Sequence, residues 1–301
     1  MNQSDFARGE VAANGLKFRY LEMGSGPLAL CLHGFPDSAW SYRYLLPELA
    51  AEGYRAVAVF MRGYRPTEVP ADNDFSTATL GADVTALHDA LGGRDDAVLI
   101  AHDWGAIAAY GSATHAPEYW RRCVIMNVPP FKVFGQIGSR YEQIKSSFYF
   151  WFFQMRIAGD VVAADDLAFI DGLWADWSPG YDAATDLEYV KECLRDPKNL
   201  SAAMDYYHTL FNPATYGSEA FAAEQLAAWG NALSQPTLYM HGTSDGCLLL
   251  DEETQRGVLA LLGPGSESLR IDDVGHFMMV QRPKEVNSHI LRFIGSPGVS
   301  R

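Results

Sequence analysis

The sequence predicts an α/β fold with a mostly parallel sheet flanked by helices. Short apolar runs alternate with segments of helical periodicity over residues 28–126, and the alternation returns over residues 236–294. Such alternation is typical of parallel strands joined by helical crossovers. Residues 131–230 break the pattern, because they are rich in aromatic residues and helix formers and contain few strand-like runs. This segment therefore predicts a helical insertion within the α/β domain.

The elements before the insertion are predicted from apolar runs that end at turn residues. The segment 16–21 alternates as a half-buried strand does, and the turn at 24–27 (GSGP) separates it from a continuous apolar strand. In order, this half predicts strands at 16–21, 28–32, 54–60, 97–101 and 123–127, with helices at 45–51 and 80–91 between them.

The remaining chain predicts helices first and then a return to alternation. In order, these are helical pieces at 138–157, 163–173, 185–195 and 200–211, a strand at 236–242, a helix at 253–262, a strand at 268–271 and a helix at 283–294. We expect residues 1–130 and 231–301 to form one core domain. Residues 131–230 are expected to form a helical cap domain inserted into it.

The length and composition of the chain limit the classes of function that it can have. The chain has 301 residues, 48% of them hydrophobic, which is enough for one large domain with an insertion. Its formal net charge of -14 argues against nucleic acid or an anionic membrane as a partner. The four cysteines show no paired metal-ligand spacing, and the sequence has neither an HExxH nor a GxGxxG motif. We therefore expect no metal and no organic cofactor.

The sequence also gives an expectation about location. The first residues lack a charged region followed by an apolar one, and no apolar run is long enough to span a bilayer. We expect a cytoplasmic protein without a membrane partner. A homodimer is left open.

The segment 98–106 (VLIAHDWGA) carries the first chemical signature. An apolar strand runs into Asp103, and a helix begins near Gly105. Small residues flank the Asp, as a sharp strand-to-helix turn requires when it brings two backbones close together. A carboxylate at that turn can attack an sp3 carbon and form an alkyl ester, whereas the usual serine makes an acyl ester. Asp103 is therefore the candidate nucleophile, with a helix-capping Asp as the structural alternative.

Two further residues follow predicted strands and complete a hydrolytic set. Asp245 comes after the strand at 236–242, and His276 comes after the strand at 268–271. Active sites of open α/β sheets lie beyond the carboxyl ends of strands, and the chain order nucleophile, acid, histidine is that of hydrolases. We expect His276 to activate water as a general base, with Asp245 fixing its tautomer. An ordinary turn aspartate and a loop histidine are the alternatives.

The loop at 33–36 (HGFP) follows the strand at 28–32. Such a loop can offer the Phe35 backbone N–H toward the turn that carries Asp103, and the Trp104 backbone N–H would be a second donor. Together they predict an oxyanion hole for the tetrahedral intermediate that forms when water attacks the ester. The side chains of His33 and His102 are assigned to loop structure and not to proton transfer.

These motifs together resemble those of the α/β-hydrolases, and within them the epoxide hydrolases. The resemblance covers almost the whole chain and rests on the runs 33–36 (HGFP), 62–64 (RGY), 102–106 (HDWGA) and 275–277 (GHF), together with Asp245. It implies the α/β-hydrolase fold, with the insertion as a helical lid over the nucleophile. It also implies hydrolysis of an epoxide to a vicinal diol through an Asp-linked alkyl ester, and two lid tyrosines that hydrogen-bond the epoxide oxygen.

Two tyrosines of the insertion match the lid tyrosines of that family. Tyr149 matches the first by its place before an aromatic pair and Gln, and Tyr207 matches the second, with Tyr206 as a close rival. A tyrosine O–H can hydrogen-bond or protonate an alkoxide without carrying charge into an apolar pocket. The predicted pocket is apolar, which favours a neutral apolar or aryl epoxide as the substrate. Its predicted side chains are Trp104, Trp151, Phe148 and Tyr206.

Three other functions stay open. A haloalkane dehalogenase uses a Trp after the nucleophile, which Trp104 matches, and Trp151 would be its second halide donor, but its early loop usually has Asn where this chain has Phe35. A haloacetate dehalogenase carries arginines beside the nucleophile, where this chain has Trp104 and Ile107. A catalytically silent binding protein on the same fold is the third, and the complete set of nucleophile, acid and histidine argues against it.

Overall fold

The apolar runs of the sequence form an eight-stranded sheet in the computed structural model, which describes residues 5–297. In chain order the strands are β1 (Ala7–Ala13), β2 (Leu16–Gly24), β3 (Leu28–Leu32), β4 (Arg55–Phe60), β5 (Val98–His102), β6 (Arg122–Met126), β7 (Thr237–Gly242) and β8 (Glu267–Ile271). Their spatial order is β1-β2-β4-β3-β5-β6-β7-β8. The pairs β1–β2 and β2–β4 are antiparallel, and every other neighbouring pair is parallel.

The burial of the central strands explains why they could be predicted from apolar runs in the sequence. Every residue of β3 and β5 is buried, as expected for parallel strands that are covered on both faces. Such strands have unbroken apolar sequences, so they are found without any alternation. The edge strand β1 is mostly exposed and β8 is half-buried along most of its length. The parallel strands direct their carboxyl ends to one edge of the sheet, where the loops meet.

Thirteen α-helices accompany the sheet within residues 5–297. They are α1 (Leu45–Ala51), α2 (Thr77–Ala90), α3 (Trp104–His115), α4 (Phe131–Ile137), α5 (Tyr141–Ser146), α6 (Phe148–Phe152), α7 (Ala158–Trp177), α8 (Ala184–Leu194), α9 (Pro197–Leu210), α10 (Glu219–Trp229), α11 (Glu252–Leu259), α12 (Met278–Gln281) and α13 (Pro283–Ile294). Helices α2, α3 and α10 pack together, and α1 packs on α13. Within the described residues, no helix combines the length and the apolar character needed to cross a membrane.

The chain between β6 and β7 is helical, from α4 to α10. The stretch predicted as one helical piece at 138–157 contains the two short helices α5 and α6, which meet at Ser147. The backbone leaves helical geometry at Ser147, which has φ -92° and ψ 21°. Helix α7 runs longer than the predicted 163–173 and is interrupted at 164–167, where the backbone leaves helical geometry.

Candidate active site

Asp103 lies in a sharp turn between β5 and α3. Its backbone has φ 53° and ψ -124°, a conformation that residues other than glycine seldom adopt. A Cβ at Gly105 would lie 2.5 Å from the carbonyl oxygens of Leu32 and His33, so only glycine fits there. The close approach of α3 to the loop after β3 therefore requires the small residue beside the Asp. The turn places the Asp103 side chain at the carboxyl end of the sheet, where the residue is buried and only 6% exposed.

The loop after β3 covers the Asp103 carboxylate. Asp103 Oδ1 accepts a hydrogen bond of 2.7 Å from the Phe35 backbone N–H. A Cβ at Gly34 would lie 2.5 Å from Asp103 Cβ and 2.6 Å from the Trp104 nitrogen, so the loop backbone touches both. The His33 ring holds this loop, since its Nδ1 lies 2.8 Å from the Gly34 carbonyl oxygen. Phe35 and Trp104, the two predicted oxyanion donors, thus both lie beside the carboxylate.

Asp245 follows β7 and is held by a set of donors. Its Oδ1 accepts from the backbone N–H groups of Cys247 at 2.8 Å and Leu248 at 3.1 Å, and its Oδ2 accepts from Asn127 Nδ2 at 2.6 Å. Sequence reasoning did not single out Asn127. Asn127 ends the predicted strand at 123–127, and this position could have indicated its role. The strand lies next to β7, which precedes Asp245, so the two loops that follow these strands meet.

His276 lies between the two carboxylates. Its Nδ1 is 3.1 Å from Asp245 Oδ2, and its Nε2 is 3.6 Å from Asp103 Oδ2. The ring is fully buried, and its backbone is fixed by an N–H donated to the Trp177 carbonyl at 2.8 Å and a carbonyl oxygen 3.0 Å from His102 Nε2. Because Asp245 accepts the Nδ1 proton, Nε2 is directed to Asp103. The structure thus brings together three residues predicted from distant parts of the sequence.

Burial and charge act in opposite directions on these groups. Burial by itself lowers the pKa of His276, but the Asp245 and Asp103 carboxylates raise it to about 10. Burial raises the pKa of Asp245, but the charge and hydrogen bond of His276 lower it to about 2. Burial also opposes ionisation of Asp103, yet His276 and the Phe35 N–H hold its pKa below the usual value. Both carboxylates therefore favour the charged form of His276 in the resting site.

A small cavity lies over Asp103, between the sheet and the inserted helices. Its volume is about 20 Å³, which leaves room for about one water molecule. Most of its lining is apolar or aromatic, and the lining residues are Asp103, Trp104, Ile107, Val128, Phe134, Tyr149, Phe150, Tyr207, Leu210, Phe211, Cys247 and Leu248. The site is therefore narrow and lined for an apolar molecule.

Tyr149 on α6 and Tyr207 on α9 are neighbours in this lining. Their ring centroids are 5.4 Å apart, and both rings contact the Phe35 ring. Burial raises the pKa of both hydroxyls well above the ordinary value, so both keep their protons as donors. The Tyr149 hydroxyl also lies 3.3 Å from Cys247 Sγ. Sequence reasoning did not place Cys247 in the site, because a lone cysteine in a loop carries no spacing signal.

Three residues predicted for the pocket lie outside the cavity lining. The Tyr206 hydroxyl donates to the Arg62 carbonyl oxygen at 2.8 Å, which commits it to the core side of α9. Phe148 and Trp151 are 45% and 37% exposed. Helix α6 has only five residues, and a single turn that directs Tyr149 inward leaves these two neighbours on its outer side. Of the predicted pocket aromatics, Trp104 does line the cavity.

Comparisons with known proteins agree with this arrangement. The chain matches the family model of the alpha/beta hydrolase fold over residues 27–283. It is 32% identical to an epoxide hydrolase of Caballeronia sordidicola, over 95% of this chain and 92% of that protein. It is 30% identical to epoxide hydrolase A of Mycobacterium tuberculosis, over 94% of this chain and 96% of that protein.

Solved structures show the same fold. An epoxide hydrolase of Bacillus megaterium in complex with an inhibitor superposes with a TM-score of 0.82, covering 95% of this chain and 99% of that one at 24% identity. An epoxide hydrolase from Vigna radiata superposes with a TM-score of 0.80 at 25% identity, covering 98% of this chain and 99% of that one. The chain therefore belongs to the α/β-hydrolase family and, within it, to the epoxide hydrolases.

Proposed function

We propose that this protein hydrolyses an epoxide to a vicinal diol in two steps, with Asp103 as the nucleophile. The observation that carries the proposal is the placement of a buried carboxylate and two buried phenols, Tyr149 and Tyr207, on the lining of one apolar cavity. Epoxide opening needs a nucleophile and a neutral acid together, because the oxygen that leaves the attacked carbon stays on the substrate as a basic alkoxide.

In the first step, Asp103 attacks one oxirane carbon and the bond between that carbon and the epoxide oxygen breaks. The Phe35 N–H holds Oδ1 at 2.7 Å, so Oδ2 attacks and Oδ1 becomes the carbonyl oxygen of the ester. The epoxide oxygen keeps the electron pair of the broken bond and takes a proton from Tyr149 or Tyr207. Their raised pKa keeps both phenols protonated in the resting site, ready for that transfer.

Formation of the ester prepares the second step. The charge of Asp103 is one of the causes of the raised pKa of His276, and esterification removes that charge, so the pKa of His276 falls. The ring then gives its proton to the tyrosinate left by the first step, which restores the phenol and leaves His276 free to act as a base. It takes a proton from water, which attacks the ester carbonyl carbon. The Phe35 and Trp104 N–H groups stabilise the oxyanion on Oδ1. The bond from the carbonyl carbon to Oδ2 then breaks, and the diol oxygen recovers the proton from His276. The other proton of the water, left on the Asp103 carboxyl, passes to His276 and restores the resting carboxylate.

The inserted helices have a defined part in this proposal. Both phenols come from insertion helices, whereas the nucleophile, acid and base follow strands of the sheet. We assign residues 131–230 to a cap domain that supplies the acids and excludes water. The apolar lining favours a neutral apolar or aryl epoxide, as the sequence predicts. The homodimer and the cytoplasmic location stay predictions.

Product analysis tests the proposal. Purified protein would be incubated in parallel with styrene oxide, fluoroacetate and a chloroalkane, with Asp103→Ala as the matched control. We expect diol from styrene oxide and none with the variant, because the carboxylate is required for the first step. Absence of diol with styrene oxide and with smaller aliphatic epoxides would contradict the proposal.

The same assay separates the two dehalogenase alternatives. Release of halide without diol would move the assignment to dehalogenation. Within the described residues that line the cavity there is no Arg or Lys to hold a haloacetate carboxylate. Trp151, the second halide donor that a haloalkane dehalogenase would need, lies on the outer side of α6. These placements favour the epoxide.

A further inference from the structure

A third side chain stands beside the nucleophile and the base. Cys247 Sγ, His276 Nε2 and an Asp103 carboxylate oxygen all lie within 4.8 Å of one another. All three residues are buried, with exposures of 1%, 0% and 6%. Cys247 follows Asp245 by two positions, and its N–H donates to that carboxylate. The Cys247 side chain is part of the lining of the cavity over Asp103.

One of these three atoms has no hydrogen-bond partner. His276 Nε2 is buried and makes no hydrogen bond within residues 5–297, and its 3.6 Å distance from Asp103 Oδ2 is longer than a hydrogen bond. Zn²⁺ binds Cys, His and carboxylate ligands at about 2.0–2.3 Å, so neighbouring ligand atoms on a tetrahedral ion lie about 3.5 Å apart. The His276–Asp103 pair already has that spacing, and Cys247 needs only a small movement to join it.

We propose that Cys247, His276 and Asp103 form a binding site for a thiophilic divalent ion, of the class of Zn²⁺ or Cd²⁺, which inhibits the enzyme. Nitrogen, sulfur and oxygen are the ligand types that Zn²⁺ prefers, and three protein ligands leave one position for water. The thiolate and the carboxylate together neutralise the charge of a divalent ion, which limits the cost of burying it. The cavity of about 20 Å³ has room for the water.

Binding of the ion displaces protons. The thiol must ionise and Nε2 must lose its proton, and burial raises the pKa of Cys247 well above its usual value. Binding therefore strengthens as the pH rises. The titratable groups that face the site are Asp103 and His102 from β5 and the turn after it, Asp245 and His241 from β7 and its loop, Tyr149 from α6 and Tyr207 from α9.

An ion in this site would block both residues on which the proposed reaction depends. It would compete with the epoxide for the Asp103 carboxylate and hold the base in its unprotonated form. The ion is an inhibitor and not a cofactor. The inference rests on the geometry of three ligand atoms and does not depend on the reaction, so metal binding can be measured whether or not an epoxide is turned over.

Cadmium binding to the purified, metal-free protein tests the proposal. The protein would be titrated with Cd²⁺, with calorimetry and the ultraviolet charge-transfer band of a cadmium thiolate as the two readouts. We expect one equivalent of Cd²⁺ to bind and the band to appear. Cys247→Ala should abolish the band and weaken binding by at least about 100-fold, because a direct ligand contributes more than an outer one. Cys193→Ala is the matched control, since that cysteine is equally buried on α8 and lies outside the site; its titration should match wild type.

Two more variants test the other ligands without relying on activity. Asp103→Asn and His276→Gln keep the shapes of the side chains and should each weaken Cd²⁺ binding while the thiolate band remains at saturating metal. Cys247→Ser is a second test at the thiol, in case the smaller Ala disturbs the loop. Wild-type affinity in both Cys247 variants, or loss of the band in Cys193→Ala, would overturn the proposal.

Discussion

The two carboxylate oxygens of Asp103 have different neighbours, and that difference separates the proposed steps at the scale of single residues. Oδ1 faces a backbone N–H, and Oδ2 faces the imidazole of His276. The first step needs the carboxylate and the phenols, whereas only the second needs the base. Loss of the base should therefore stop the reaction midway.

The His276→Ala variant should form the ester and fail to hydrolyse it. We expect turnover to fall by about 100-fold or more, the usual contribution of a general base. Mass spectrometry of the peptide that carries Asp103 should show an added mass equal to that of the epoxide. The same peptide from Asp103→Asn gives the background. Turnover at the wild-type rate would remove His276 from the mechanism.

Tyr207 and Tyr206 form a matched pair of adjacent buried tyrosines. Tyr207→Phe removes a phenol from the cavity and should lower kcat for an epoxide by about 100-fold. Tyr206→Phe removes only the hydrogen bond to the Arg62 carbonyl and should lower the free energy of unfolding by about 1 kcal/mol, with a rate near wild type. Steady-state kinetics and urea unfolding check both. A larger kinetic loss in Tyr206→Phe would reverse the assignment.

The charge on His276 should appear in the pH dependence of stability. Its pKa rises from 6.5 to about 10 on folding, so the folded state keeps a proton that the unfolded chain loses. The stabilisation is complete below pH 6.5 and is lost as the pH rises toward 10, by at most about 1.4 kcal/mol per pH unit. Urea unfolding across this window should show a steeper loss for wild type than for His276→Gln. Parallel curves would contradict the raised pKa.

The sequence located the three residues that meet at the proposed site better than the residues that line the cavity. Asp103, Asp245 and His276 each follow a strand, and strand ends can be located from apolar runs. Tyr206 and Tyr207 are adjacent on one helix, and a rotation of about 100° separates their directions. Composition does not determine which face of α9 meets the cavity. That choice depends on how the helix packs against the loop that carries Arg62.

At the scale of elements, the turn between β5 and α3 sets the position of the nucleophile. Its geometry depends on two close backbone approaches, at Gly105 and at Gly34. The loop after β3 must pass the carboxylate at hydrogen-bond distance, and a side chain at Gly34 would occupy the space of the Asp103 side chain. A single methyl group at this loop should therefore affect chemistry directly.

Gly34→Ala should lower activity by about 100-fold or more, because the added methyl displaces the carboxylate or removes the Phe35 donor. Gly135→Ala on α4 is the control, since a Cβ there meets no atom within 4 Å. That control should keep activity and gain up to about 1 kcal/mol of stability from the better helix former. kcat/KM and urea midpoints measure both. An active Gly34→Ala variant would mean that the loop can shift without cost.

The central strands of the sheet were predictable because burial on both faces makes them unbroken apolar runs. The inserted helices were harder, since their boundaries depend on local contacts. Ser147 separates α5 from α6 through its non-helical backbone conformation, and no periodicity marks that break. As a result, the sequence placed Phe148 and Trp151 in the pocket, whereas the short helix α6 turns them away from it.

At the scale of the whole molecule, the small volume of the cavity means that substrate entry requires movement. A space of about 20 Å³ is far below the several hundred that bind a drug-sized ligand. The inserted helices or the side chains between them must therefore shift before any epoxide reaches Asp103. Phe134 of α4 is on the lining and is 9% exposed, so it stands at the boundary between cavity and surface.

Phe134→Ala should widen the site and favour bulky substrates. We expect the ratio of kcat/KM for a naphthyl glycidyl ether to that for propylene oxide to rise several-fold, because removal of the ring enlarges the space over the nucleophile. Competition between the two epoxides in one vessel measures that ratio directly. Trp151→Ala, on the outer side of α6, is the control and should leave it unchanged. An unaltered ratio in Phe134→Ala would place the steric limit elsewhere on the lining.

The same small volume bears on which nucleophiles can intercept the ester. At rest the space beside Asp103 holds about one water, and the state that holds the ester must be larger. Attack by an alcohol on the ester carbonyl would release the diol and leave Asp103 as an alkyl ester. Interception of the ester by an alcohol co-solvent would therefore appear as inactivation of the enzyme, while the product remains a diol.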